Sequence, residues 1–509
     1  MGNGAGAVPL PAPRILTPVR NPDPDPLRNQ NNYRITDADN LGSGSLKQKC
    51  RDNLAAIELL KRLETESRPA TSEEKRHLVR YTGWGGLPQV FDPYNTDWLV
   101  EGGRLEKLLT PLELDSARAT TLNAHYTAPV VIRAMYDALR RFGFDHGRIL
   151  EPACGLGHFI GLVPGDMLTR SQVTGIEIDS TTVRLAKMLY PDADLRHQPF
   201  EEAKLADGFY DAAISNIPFG DYKPYDPRFK NWNFVIHDYF FAASLTKVRP
   251  GGLILFVTSK GTFDKLDGAL REYVSQQADL LGAIRLPNDA FKRNANTEVT
   301  TDIVMLQKRL PGGLAQGPAW KNLVEITNSE SQTLKINEYF AAHPEMMLGE
   351  MRLEGRMYQR SEPTLVGNGR DLGEQLREAV GRLPEGVFRA QRVQITAPTI
   401  EQTFPAPEDV KPNAYAIHQD EVVIREGNEL IPLSHLPVQT KLRIRGMIQV
   451  RDAVRQCLRT QLRSNDVCAA DGLGGIDRSQ MLVQQSRFLP AGTDFLHANR
   501  LARDQGQRQ

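Results

Sequence analysis

Between about residues 120 and 310, short apolar runs alternate with stretches whose apolar positions recur every third or fourth residue. The runs predict strands at 148–152, 173–178, 211–215, 252–258, 280–286 and 301–308, with a weaker one near 194–197. The intervening stretches predict helices, notably at 128–141, 180–190 and 237–248. Alternation of this kind is the mark of an α/β domain with a mainly parallel sheet. The last two strands leave no room for a helix between them, so they are expected as an antiparallel pair at the sheet edge.

Outside that region the pattern changes. Residues 1–45 are rich in Gly, Pro, Asn and Asp and read as a disordered lead-in. Leu54, Ile57, Leu60 and Leu63 then recur at helical spacing, and Thr71 with Glu74 marks a capping-box start for a second helix. "YTGWGGLPQVF" (81–91) breaks regular structure inside this helical segment, taken as 46–118. Beyond "LPGGLAQGPAW" (310–320), residues 311–440 mix short helices with a strand pair around "AYAIHQDEVVIREGNELIPL", an α+β extension of unassigned fold. A long amphipathic helix is expected at 441–463, followed by a polar tail, 464–509, expected to be disordered. There are no internal repeats.

Composition narrows the class. The chain has 509 residues, 40% hydrophobic and 24% charged, as expected for several globular domains. Lys plus Arg (62) balance Asp plus Glu (62), so a nucleic-acid partner would need a local basic surface. No run reaches the roughly 18–20 apolar residues of a membrane span, and the first residues lack the apolar core of a secretory signal. A cytoplasmic protein is expected. Four scattered cysteines suggest reduced thiols and no metal site. No GxxxxGK[ST] occurs, so no ATPase engine is recognisable. Pro191, Asp192, Glu202 and Lys204 imitate a nuclease pattern, but they fall where a cofactor-binding segment is expected.

Three stretches carry chemistry. "RILEPACGLGHFIG" (148–161) ends a strand and presents Gly155 and Gly157 at the carboxyl edge of the sheet. There, glycines either let a ligand approach the backbone or merely make a tight strand–helix turn. "VTGIEIDS" (173–180) ends in Glu177 and Asp179. Glu177 stands twenty positions after Gly157, the offset at which an acid on the second strand binds ribose hydroxyls; Asp179 could equally cap the next helix. Together they point to a nucleoside-containing cofactor. In "AAISNIPFGDY" (212–222), Pro218 ends the strand. Either the stretch is a terminator with a buried Phe219, or Asn216 Oδ1 and a neighbouring carbonyl accept both hydrogens of a planar amino group while Phe219 stacks on its ring.

In this order and spacing the three stretches resemble the motifs of S-adenosylmethionine-dependent DNA adenine-N6 methyltransferases, over about residues 120–310. "NAHYTAPVVIRAM" (123–135) and "LPNDAFKRNANTEVTTDIVMLQK" (286–308) resemble flanking segments of the same class. The wider chain resembles the amino-terminal part of large phage and plasmid methyltransferase–helicase fusions, the DarB-like antirestriction proteins. The resemblance implies a Rossmann-like class I methyltransferase domain at 119–310 with a seven-stranded, mainly parallel sheet. It implies S-adenosylmethionine as cofactor, with Thr127, Glu151, Gly155 and Gly157 around its methionine part, Glu177 on its ribose and Phe200 against its adenine. Asn216, Pro218 and Phe219 would grip a flipped adenine in DNA, and Phe291 would press on it from another side. Two positions depart from the pattern. Ile217 replaces a Pro, although the group needed there is a backbone carbonyl, and Gln198 stands in for an Asp beside the cofactor adenine. Lys223, Arg228 and Lys230, interleaved with Tyr222, Tyr225, Phe229 and Trp232, form a basic aromatic loop suited to a displaced strand. The arginines of 441–463 could touch phosphate or form a solvated face. The fusion resemblance also implies a helicase part encoded downstream. Competing readings are methylation of RNA or of a protein glutamine, and an inactive DNA-binding module that keeps the fold.

Overall fold

The computed structural model describes residues 29–121, 126–291, 299–355, 362–389, 404–407, 410–411, 414–426, 429–433 and 438–471. The lead-in before residue 29, residues 123–125 and 292–298 of the two flanking motifs, and the tail after residue 471 lie outside them. The chain divides into two compact units, 1–394 and 395–509.

The first unit is built on seven strands: β1 (Arg148–Glu151), β2 (Gln172–Glu177), β3 (Asp194–His197), β4 (Tyr210–Asn216), β5 (Val248–Ser259), β6 (Ala278–Leu286) and β7 (Thr301–Lys308). Their order in the sheet is β3-β2-β1-β4-β5-β7-β6. Strands β1 to β5 pair in parallel, and β7 runs antiparallel to both its neighbours, β5 and β6. The late antiparallel pair therefore sits at the edge as expected, with β7 inserted inside β6. The first six residues of β4 are all buried, which is why a central parallel strand reads as a continuous apolar run.

Among the described residues, five helices precede the sheet: α1 (Leu46–Thr65), α2 (Ser72–Leu78), α3 (Leu99–Leu108), α4 (Pro111–Thr120) and α5 (Pro129–Arg141). The Thr71–Glu74 capping box forms at the start of α2. Helices α6 (His158–Leu162), α7 (Gly165–Leu168), α8 (Ser180–Leu189), α9 (Ile236–Lys247), α10 (Gly261–Asp264) and α11 (Ala269–Ser275) connect the strands. Ten of the twelve α9 residues are buried, so its sequence is apolar around most of its circumference rather than along one stripe.

Two expected boundaries are corrected. Residues 29–45 are not a free lead-in. Asn29 Nδ2 donates to the Leu168 and Ser171 carbonyls at 2.8 and 3.0 Å, and the Tyr33 and Ile35 amides donate to Leu189 and Gly161. Their Asn-rich composition reflects side chains that satisfy buried backbone groups instead of a core of their own. The extension likewise does not begin a separate body at 311. Strand pairs β8 (Leu323–Thr327) with β9 (Thr333–Asn337) and β10 (Gly349–Gly355) with β11 (Glu362–Gly367), together with α12 (Glu338–Ala342) and α13 (Leu372–Arg382), share the core of the sheet. Helix α13 packs on α5, and the Gly386 and Phe388 amides donate to the Arg141 and Phe142 carbonyls. The physical reason is a buried ion cluster. Arg285 on β6 donates to both carboxylate oxygens of Asp302 on β7, at 2.7 and 2.9 Å, and to Asp264 at 2.6 Å. The other oxygen of Asp264 accepts from the Asn337 amide at 3.0 Å, tying the extension to the sheet.

The second unit holds β12 (Phe404–Pro405), β13 (Tyr415–His418), β14 (Glu421–Glu426) and β15 (Glu429–Pro432) in the order β12-β15-β14-β13. Gln419 and Asp420 both take positive φ (47° and 63°), making the two-residue turn between β13 and β14. Helix α14 (Val438–Asp471) is longer than the expected 441–463, so the first residues assigned to the tail are helical. Ile444 and Ile448 pack against Val422. No helix among the described residues is long and apolar enough to cross a membrane.

Candidate active site

The carboxyl ends of β1, β2 and β4 open onto one cavity of about 380 Å3, the size and place of a small-molecule site in a parallel sheet. Strand β1 delivers Glu151 to its wall, 1% exposed, with Oε2 buried and without a hydrogen-bond partner among the described residues. Burial, reinforced by the charge of Glu177, holds the Glu151 carboxyl well above the usual carboxylate range.

The two glycines after β1 do different work. Gly155 lines the cavity at φ 52°, and its amide donates to Glu177 Oε2 at 2.8 Å. Gly157 is not part of the wall; a Cβ there would lie 2.7 Å from the Tyr190 ring, at φ 83°. The Tyr190 ring therefore requires a glycine at this position.

At the end of β2, Glu177 Oε1 accepts from the Asp179 amide at 2.8 Å. Burial raises the Glu177 carboxyl to about 7, against the pull of its backbone N–H donors. Asp179 is the helix cap of the two alternatives. Its Oδ2 accepts from the amide and hydroxyl of Thr182, at 2.8 and 2.7 Å, and its Oδ1 accepts from Ser116 at 2.7 Å. Glu177 is thereby left as the strand-end carboxylate available to a ligand. Beside it Ile178, 64% exposed, joins Gln198, Pro199, Phe200 and Phe240 in the wall, with the Phe200 and Phe240 rings 5.0 Å apart. Ile178, Pro199 and the two touching rings make this part of the wall largely apolar. Thr127, 3% exposed, and Tyr126 line another part of the cavity.

Asn216 ends β4 half-buried and lines the same cavity with Pro218. The Ile217 amide donates to the Val257 carbonyl at 3.1 Å, and its side chain is 1% exposed in the core. Residue 217 thus needs an apolar side chain, and its departure from Pro is a core-filling choice that also adds a ladder hydrogen bond. Phe219 is half-buried and outside the wall; Tyr222, 60% exposed, stands in the wall instead. The Ile236 amide donates to its carbonyl at 2.7 Å and holds it there.

Other expected residues are not brought to the cavity. Phe291 is 2% exposed within the main core. Its segment is pinned to the extension by the Asn288 amide, which donates to the Leu365 carbonyl. Arg228 is engaged by Asp226 at 2.7 Å and lies over the Phe229 ring. Phe229 and Trp232 pack with Phe234 and Tyr273. Lys223, Lys230, Tyr222 and Tyr225 keep the exposure that the basic aromatic loop requires. On α14, Lys441, Arg445 and Arg451 pair with Glu421, Asp420 and Asp452, as on a solvated face.

The sequence reading missed one whole wall. Gly83, Ser116, Ala119 and Thr120 of the helical segment line the cavity. Asn53, fully buried on α1, donates to the Gly83 carbonyl at 2.6 Å and accepts from the Thr82 amide at 2.7 Å, fixing the turn that contributes Gly83. The glycine-rich break at 81–86 was visible as a loop, but only the packing of α1 and α4 on α8 carries it to the strand ends. His158 was also missed: it lines the cavity and is 5% exposed.

No protein-family model matches the chain. It is 26% identical over 274 residues to the defense against restriction protein B of Escherichia phage P1, a match that covers 52% of this chain. The chain spans only about a tenth of that relative, whose matched share is 10%. Among solved structures it is similar to a Listeria monocytogenes protein assigned to the class I S-adenosylmethionine-dependent methyltransferases (17% identity, 53% of this chain and 90% of that one, TM-score 0.34). It is also similar to the type I restriction-modification methyltransferase subunit of Streptococcus thermophilus (15% identity, 52% and 79%, TM-score 0.31). The strand order and the antiparallel β7, rather than these overlays, carry the fold assignment. By that topology the chain has the class I methyltransferase fold, and by sequence it is related to the defense against restriction protein B of phage P1.

Proposed function

We propose that this chain uses S-adenosylmethionine to methylate the exocyclic amino group of adenine in DNA, for modification or antirestriction of mobile-element DNA. The observation that carries the reading is that Asn216 shares one cavity with Glu151 and Glu177. The cavity fits the cofactor. Glu151 has a buried oxygen in want of a donor, Glu177 would accept from ribose hydroxyls, and the apolar wall of Ile178, Phe200 and Phe240 would take the purine. Bound there, S-adenosylmethionine supplies a methyl group on a positively charged sulfur.

The protein's own part is orientation. Asn216 Oδ1 and a neighbouring backbone carbonyl accept the two amino hydrogens, which turns the nitrogen lone pair towards the electrophile. Tyr222 and Pro218 border the place where the ring would lie. A base in a duplex cannot reach this cavity, so it must be flipped, at a cost of a few kcal/mol that stacking and amino-group hydrogen bonds offset. The exposed Lys223 and Lys230 are available to the backbone of the opened strand. The phage relative, a protein named for defense against restriction, supports DNA as the acceptor.

The test is transfer of label from methyl-labelled S-adenosylmethionine to DNA, RNA and protein acceptors offered separately. Label is expected in DNA adenine and should fall about 100-fold or more in Asn216→Ala, the scale of losing one aligned polar group at a reacting centre. Label in RNA or protein alone would move the acceptor. Cofactor binding without transfer to any acceptor would leave a non-catalytic DNA-binding module.

A further inference from the structure

The helical segment walls one side of the cavity, yet little apolar packing holds its last helix there. Ser116, Ala119 and Thr120 fall at spacings of three and four on α4, so one face of that helix meets the strand ends. Of the ten residues of α4 only Ala117 is buried, and Leu112 is 83% exposed. The ties that place α4 are mainly polar. Ser116 donates to Asp179, and Glu113 lies between two cations from other helices. Its Oε2 accepts from Lys61 Nζ on α1 at 3.0 Å, and its Oε1 accepts from Arg184 Nη1 on α8. Burial pushes the Glu113 carboxyl up, but the Thr110 amide, Arg184 and Lys61 together hold it down at about 2, so it is ionised at neutral pH. Arg184 also donates through Nε and Nη2 to both carboxylate oxygens of Glu64 on α1, at 2.6 and 2.5 Å. A single exposed ion pair contributes little, but a planar guanidinium shared by two carboxylates fixes geometry as well as charge. Arg184 thus fastens α1 and α4 to α8, the helix that follows the Glu177 strand. None of Lys61, Glu64, Glu113 and Arg184 lines the cavity.

We propose that Arg184 is a positioning residue for the cofactor: it holds α4 against the strand ends, so that the cavity is walled before the cofactor arrives. The role rests on the S-adenosylmethionine reading above. If α4 is in place only part of the time, apparent affinity falls in proportion to the walled fraction, although no group that touches the cofactor has changed.

The test pairs calorimetric titration of S-adenosylhomocysteine with amide hydrogen exchange, both on the full chain. Arg184→Gln, which removes the charge and keeps a polar side chain, should weaken S-adenosylhomocysteine by about tenfold, as expected if the walled fraction falls to about a tenth. Exchange should quicken in residues 111–120 and stay unchanged in β1, β2 and β4, which a general loss of stability would not produce. Arg184→Lys, which keeps the charge but not the fork, should recover part of the affinity. Unchanged affinity in Arg184→Gln would overturn the proposal. So would a loss of affinity without faster exchange in α4, or faster exchange spread equally through the sheet. If wild type does not bind S-adenosylhomocysteine, the cofactor reading itself fails, and this inference with it.

Discussion

Glu177 carries the plainest physical signature in the cavity. Its two oxygens are each fixed by a backbone N–H, so it is orientated before any ligand arrives. Burial raises it to about 7, which leaves it partly protonated near neutral pH. Ribose hydroxyls donate to the ionised form, so cofactor binding and the proton compete. Affinity for S-adenosylhomocysteine should therefore be highest above pH 7 and fall as the pH drops through that value. The fall should approach tenfold per unit until the pKa of the bound state, lowered by the ligand, is reached. Calorimetry between pH 6 and 8.5 reads this directly. A flat profile would mean that Glu177 does not hold the ribose. Asn216 and Glu177 were legible as single residues because each ends an apolar run. His158 was not, because a histidine inside an apolar segment looks the same in sequence whether it lines a cavity or fills the core.

At the scale of elements, the seven strands and their main helices follow the sequence pattern within a few residues, since local periodicity and burial agree in a buried parallel sheet. What periodicity could not supply is how the sheet edge is closed. Strands β6 and β7 are joined to the extension through the Arg285 cluster, in which Arg285 and Asp302 are both fully buried. Removing the cation while leaving its partners is costly, because Asp302 and Asp264 then remain buried without it. Arg285→Met is expected to lower stability by about 3–5 kcal/mol in denaturant unfolding. A loss under 1 kcal/mol would show that the carboxylates find water or protons instead. Gly157 makes the same point in miniature. Of the two glycines in the GxG, Gly155 lines the cavity and Gly157 is required by the Tyr190 ring.

At the scale of the molecule, the first unit runs to residue 394 rather than 310. Leu376, Ala379, Val380 and Leu383 are buried with α5 in the common core, and Phe388 packs on Phe144. A fragment ending at residue 310 would uncover those contacts and split the Arg285 cluster from Asn337. It is expected to aggregate or to lose cooperative unfolding, whereas a fragment ending at 394 should unfold in one transition; size-exclusion chromatography and calorimetry distinguish the two. If the shorter fragment unfolds cooperatively, the extension is an independent body after all.

The amino-acid sequence by itself determined the α/β class, the strand positions and the three strand-end motifs, because each depends on residues close together in the chain. The tertiary structure alone decided which strand-end groups share a cavity and that Asp179 caps a helix while Glu177 faces the cavity. It also decided that Ile217 fills the core, and that Gly83, Ser116 and His158 complete the wall. Those outcomes depend on contacts between segments tens of residues apart. Burial there decides whether a carboxylate, an imidazole or a glycine is packing or site, and no local pattern records it.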